Sequence, residues 1–277
     1  MRLTSTVPAY LALAAVEDDV RRAEAWTEQY EAAHPEVFAT YHRSWGRHER
    51  CLAAAADVPR LAPTLPAVEA RAHGLVEQVE GVFRADGLID DDLDVVLMVG
   101  AHTSNGWVTE VGGRETLFLA LEFLGEPPYD QVLVSHEAIH VAHLRNGAGG
   151  WPEDGAAGLF QEGLAVAVSR MLHPGLTDSA YLWHDGAHDD WVEECAALAP
   201  QLAARTLGVL DAPEEDPTVR ALFTGTHPQP GLPVRAGYWL GDVVLRDLLA
   251  ETPSEELVAW DHATARLAVA DRLGELI

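Results

Sequence analysis

His136-Glu137-Ala138-Ile139-His140 lies in a stretch, Tyr129 to Leu144, that contains no glycine and no proline. Val132, Leu133, Val134, Ile139 and Val141 flank it, so the stretch predicts a largely buried helix. Residues four apart on a helix differ by about 40° around its axis, so His136 and His140 share a face. Two imidazoles and a carboxylate cannot be buried together without partners. The fold must therefore bring a further group to that face. A metal ion is the partner that suits both imidazoles at once.

Glu137 sits beside that face but off it, poorly aligned as a third ligand on the same helix and well aligned to hydrogen-bond a metal-bound water. Two ligands and a general base on one turn is the mechanical logic of the HExxH pattern. A catalytic zinc ion needs a third protein ligand and an open fourth position. The metzincin solution puts Gly and His at the third and sixth positions after His140, where this chain has His143 and Asn146. Glu162, 22 residues after His140, is the favoured third ligand. It stands in the apolar stretch Leu159 to Val168 of a second helix, expected over Ala156 to Leu172. Metal ligation offsets the cost of burying an acid there. The intervening Gly149-Gly150-Trp151-Pro152 is the loop between the two helices. Glu153 and Asp154 are nearer in sequence but look like N-cap and first-turn acids. His143, one turn beyond His140, either lines the cleft, orients a ligand from behind, or is an ordinary core or surface histidine. Glu122, Glu153 and Asp154 are further candidates for orienting the ligands.

The rest of the chain predicts an α+β fold. Residues 9 to about 60 are rich in Ala, Glu and Arg and read as helices, as do residues 67 to 85. Val95 to Val99 reads as a buried strand, and Leu117 to Leu121 as a second. Beyond the two central helices, further helices are expected at about 187–208, 238–250 and 254–275. The 277 residues carry 18 basic and 44 acidic side chains, a net charge of −26. That balance excludes a nucleic-acid binder and an anionic-membrane binder, because both need clustered Lys and Arg. No apolar run is long enough to span a bilayer, and the start of the chain reads as a soluble helix. Cys51 and Cys195 lie far apart with no CxxC pattern. The expectation is a cytoplasmic protein with two free, buried thiols.

HExxH followed by a helix bearing Glu162-Gly163-Leu164-Ala165 resembles the gluzincin zinc peptidases. More narrowly, the chain resembles the DUF2268 family of predicted zinc-dependent proteases. Val95–Gly100 with Ser104-Asn105-Gly106-Trp107-Val108 is similar to that family's strand and small-residue loop. Leu117–Leu121 is similar to its next strand, and Gly237-Tyr238-Trp239-Leu240-Gly241 to its late helix start. The resemblance spans about residues 92 to 250. It implies a helical N-terminal region (1–90) and a zincin-like catalytic domain (91–277), or one continuous domain. Within the second part it implies a small mixed sheet, a catalytic helix pair and a helical C-terminal region.

The resemblance also implies an oxyanion donor outside the metal shell. Tyr238 is the first candidate, with Arg235 and His227 behind it; a packed core aromatic is the alternative for Tyr238. Asn105, Gly106 and Trp107 would flank an edge strand that accepts substrate backbone, or form an ordinary hairpin turn. The expected activity is that of a metallopeptidase with one zinc on His136, His140 and Glu162, Glu137 as base, and a peptide or protein substrate. Two alternatives stand beside it. A His-His-Glu set also suits iron, as in a peptide-modifying oxygenase. A binding protein stapled by a structural metal would use the same ligands without chemistry. Oligomeric state is not legible.

Overall fold

A computed structural model describes residues 1–147 and 150–277. Gly149 of the expected Gly149-Gly150-Trp151-Pro152 loop lies outside the described residues, as does Ala148. The fold is α+β, with one four-stranded mixed sheet among many helices. The chain forms two compact units: Met1–Ala85 with Ile89–Asp130, and Asp86–Leu88 with Gln131–Ile277.

The sheet belongs to the first unit. Its strands are β1 (Arg2–Ser5), β2 (Asp94–Met98), β3 (Gly106–Val111) and β4 (Arg114–Ala120), in the order β1-β2-β4-β3. β2 is parallel to both β1 and β4, with Leu3 opposite Val95 and Val95 opposite Leu117. A central strand is covered on both faces, and Val95 to Met98 are accordingly an unbroken buried apolar run. β3 and β4 form a hairpin in which Val111 faces Arg114 across Gly112-Gly113. Both glycines have positive φ, 59° and 81°, the backbone that a two-residue turn of the I′ type requires.

A boundary between residues 90 and 91 does not coincide with either unit. The reason is β1, a strand absent from the sequence expectation, which pairs residues 2–5 with 94–97 and ties the N-terminus into the sheet. The helix Leu65–Ala85 buries Leu75, Val76, Val79 and Phe83. Beside the sheet, Tyr10, Trp26, Tyr30 and Phe38 meet edge to face with ring centroids 4.8 to 5.8 Å apart. The Tyr30 hydroxyl donates to Val99 O at 2.7 Å and accepts from Val99 N at 3.0 Å, which fixes the end of β2.

Three long helices dominate the second unit: the histidine, glutamate and tyrosine helices. The histidine helix is Tyr129–Asn146, its first two residues counted with the first unit. The glutamate helix is Gly155–Leu172 and the tyrosine helix is Ala236–Glu251. The last helix, His262–Glu275, starts at Asp261, whose carboxylate accepts from Thr264 N at 2.7 Å. The expected helix over 187–208 is two, Asp189–Ala197 and Ala199–Leu207. Pro200 falls in the first turn of the second, where the N–H it lacks is not needed and where a continuous helix would be interrupted.

The glutamate and tyrosine helices cross backbone to backbone. A Cβ on Gly163 would stand 2.6 Å from the Gly241 carbonyl carbon, and one on Gly241 would stand 2.8 Å from Leu159 O. Next to the crossing, Arg170 donates to the buried Asp242 carboxylate at 2.7 Å. Cys51 and Cys195 are buried free thiols. Among the described residues, no helix is long and apolar enough to cross a membrane.

Candidate metal centre

The histidine helix is buried through Val132, Leu133, Val134, Ala138, Ile139, Val141 and Ala142. That packing fixes the rotation of the helix and turns His136 and His140 to one side, with ring centroids 5.1 Å apart. The glutamate helix begins at its N-cap Asp154, which accepts from Ala157 N at 2.8 Å. Two turns later Glu162 faces the imidazoles. Its Oε2 is 3.1 Å from His136 Nε2 and 3.7 Å from His140 Nε2. Donor atoms of all three residues lie within 4.8 Å of one another.

These residues fit a zinc ion. Bonds of 2.0–2.1 Å in a tetrahedron put ligand atoms about 3.3 Å apart, and the two imidazole–carboxylate distances bracket that value. The donors are two nitrogens and one oxygen, a set zinc accepts. Burial favours the neutral carboxyl of Glu162, yet His140 and His136 outweigh burial and hold its pKa well below the usual carboxylate range. Burial opposes charge on His140, and Glu162 overrides it to raise that imidazole above its ordinary value.

Glu137 is 6% exposed. Burial raises its pKa, partly countered by His136 and His140. Tyr238, on the first turn of the tyrosine helix, lies with its ring 6.3 Å from that of His136 and 22° from parallel. It also packs against the buried group of Val132, Val166, Tyr181 and Leu182, so it is at once a packed aromatic and a neighbour of the ligands. Burial, with the Glu162 carboxylate nearby, keeps its phenol protonated far above neutral pH. The close crossing at Gly163 and Gly241 accounts for this arrangement. Glu162 precedes one of those glycines, and Tyr238 is one turn before the other.

The remaining candidates are spread more widely. Arg235 is the N-cap of the tyrosine helix, with its guanidinium carbon 4.3 Å from the Tyr238 ring centroid. His227 sits in an exposed turn, where its Nδ1 contacts Thr226 Oγ1 at 2.8 Å and Thr224 Oγ1 at 3.2 Å. It serves its own loop. His143 packs edge-on against Trp151, 4.5 Å between centroids, and near Phe160 at 5.8 Å. Burial pushes its pKa down to about 4, with a further push from His140. Asp154 caps the glutamate helix and pairs with His262 at 3.1 Å. The Glu153 carbonyl accepts from Glu214 N at 2.8 Å, outside the first turn expected for it.

Asn105, Gly106 and Trp107 belong to the first unit, where β3 is an edge strand. Trp107 turns its ring inward, stacked 4.8 Å from Phe118, so that edge offers backbone rather than the indole. Glu122 clamps the turn after β2, accepting from Gly100 N at 2.9 Å.

One residue escaped the sequence. His184 packs edge-on to His136 at 5.5 Å, and its buried Nε2 has no hydrogen-bond partner among the described residues. Burial pushes its pKa down to about 3, with His136 and Arg235 adding to the effect. It follows the short helix Asp178–Trp183 with φ of 56°. No periodic pattern marks such a residue; its sequence signal is only a histidine between Trp183 and Asp185, four positions before His188. A second donor group, Glu31, His42 and His48, lies in the first unit. Its Glu31 Oε1 already meets Trp26 Nε1 at 3.0 Å and His42 Nε2 at 2.9 Å. In comparisons with protein-family models, curated proteins and solved structures, no match to the chain was found.

Proposed function

We propose that the protein is a single-zinc metallopeptidase, acting on peptide or protein substrates in the cytoplasm. One observation carries the reading: His136, His140 and Glu162 converge from two helices to within 4.8 Å of one another, with Glu137 adjacent. His136, His140 and Glu162 are the residues that would hold the metal. A zinc ion bound there would lower the pKa of its water to about 7 and draw electron density from a substrate carbonyl.

The protein's own groups do the rest. The Glu137 carboxylate takes a proton from the attacking water and returns it to the nitrogen of the departing amine. The neutral Tyr238 hydroxyl and the neutral His184 imidazole are donors for the negative charge that grows on the carbonyl oxygen. His184 replaces His227 in that role. Burial of His136 and Glu137, 4% and 6% exposed, keeps bulk water from competing for these hydrogen bonds.

Glu137→Gln tests the mechanism. The two side chains have the same shape, so fold and bound metal should be retained while hydrolysis of a peptide library falls by about 10²–10⁴-fold. Wild-type turnover by that variant would exclude Glu137 as the base. A metal-stapled binding protein would lose no function on the same substitution.

A further inference from the structure

Arg235 has an unusual setting for a cation. Its backbone is left-handed, with φ of 62°, a conformation that side chains other than Gly and Asn seldom adopt. Its guanidinium carbon lies 4.4 Å from the Trp183 ring centroid and 4.3 Å from that of Tyr238. Two aromatic rings therefore pack against the guanidinium. Nε is buried without a partner. Nη2 has only a 3.4 Å contact with Leu182 O.

Among the described residues no carboxylate pairs with Arg235, although the chain holds 44 acidic residues. Arg170 and Arg246 in the same unit both face Asp242, at 2.7 and 3.3 Å. The helix that starts at Arg235 also has no side-chain N-cap, so its positive end adds to the local potential. Tyr238, one wall of the clamp, borders His136 with its own ring. Trp183, the other wall, immediately precedes His184.

We propose that Arg235 is a carboxylate-reading subsite, joined to the candidate metal ligands through Tyr238, and that it selects substrates with a carboxylate close to the scissile bond. The inference rests on the peptidase reading for its context. A guanidinium held against two rings presents its two terminal nitrogens, Nη1 and Nη2, as a pair of N–H donors that a carboxylate accepts in bidentate fashion. The carboxylate comes from the substrate C-terminus or from an Asp or Glu side chain. Such a charge-assisted pair is worth about ten- to hundred-fold in retention.

The test uses acetylated, randomised heptapeptide pools in four forms: C-terminal acid or amide, each with or without Asp and Glu in the mixture. Pools are equilibrated with zinc-supplemented Glu137→Gln protein, and retained peptides are counted by mass spectrometry. The expected result is at least tenfold preference for acid-bearing over wholly neutral pools. That ratio should fall to about one in Glu137→Gln/Arg235→Gln and be partly restored by Arg235→Lys, with the neutral pool unaffected. The acid-to-amide ratio without Asp and Glu reports a terminal carboxylate; the effect of Asp and Glu within the amide pools reports a side chain. Equal retention of all four pools, no retention at all, or a preference that survives Arg235→Gln would overturn the proposal. A uniform loss across pools in the Gln variant, with a lowered melting temperature, would do the same by assigning Arg235 a purely structural role. Cleavage of the pools by the wild-type chain is scored separately. Its absence alongside an intact preference would count against the peptidase and not against the subsite.

Discussion

His140 and His143 stand one turn apart on the histidine helix and titrate in opposite directions. Burial opposes charge on both, but His140 has the Glu162 carboxylate beside it and His143 has aromatic rings. His143 therefore stays neutral down to about pH 4 in the folded chain, against an ordinary value of 6.5. The unfolded chain binds the proton first, so stability present above pH 6.5 is lost as pH falls towards 4. At 1.36 kcal/mol per pH unit the full window is worth roughly 3 kcal/mol. Urea unfolding of metal-free protein at pH 7 and pH 4.5 should show a markedly smaller acid loss in His143→Gln than in wild type. An equal loss in both would mean that His143 is not the acid-sensitive group. Tyr238 allows a second prediction at this scale. Tyr238→Phe removes only a hydroxyl, so melting temperature and zinc content should barely change while kcat falls by about 10²–10³-fold at constant KM. A fall in stability with kcat per folded molecule intact would reduce Tyr238 to a packing residue. His184→Phe should behave like Tyr238→Phe in the same assay.

At the scale of elements, the crossing of the glutamate and tyrosine helices positions the site. Gly163 and Gly241 touch through backbone atoms, and nothing flexible at the contact can give way. Gly241→Ala should destabilise the protein by about 1–3 kcal/mol through overpacking. It should also lower kcat in the protein that remains folded, because the tyrosine helix must shift away from Glu162. Thermal unfolding and single-turnover rates on the folded fraction check this. Normal stability in Gly241→Ala would show that the crossing tolerates a methyl group. Much at this scale was legible in the sequence. The histidine helix, expected to Leu144, ends at Asn146, and the glutamate helix starts one residue before its expected position. Unbroken apolar spacing made them legible. β1 was not, because four residues with three exposed side chains have no buried face to advertise. Nor was the Arg235–Trp183 clamp, which arises from two left-handed residues, His184 and Arg235, about fifty positions apart in sequence.

At the scale of the whole molecule, the candidate metal ligands His136, His140 and Glu162 all lie within the second unit. An ion bound there would join two helices of that unit and stabilise it by an amount that grows with free metal over its dissociation constant. Metal content is accordingly the most direct test of the central claim. Elemental analysis of purified protein, after zinc incubation and dialysis, should give about one zinc per chain. His136→Ala, His140→Ala and Glu162→Ala should each lose most of it, whereas Glu137→Gln, Glu153→Ala and His42→Ala should keep it. Stoichiometric iron in its place would favour the oxygenase. Full zinc in Glu162→Ala, or no stoichiometric metal in the wild-type chain, would contradict the account.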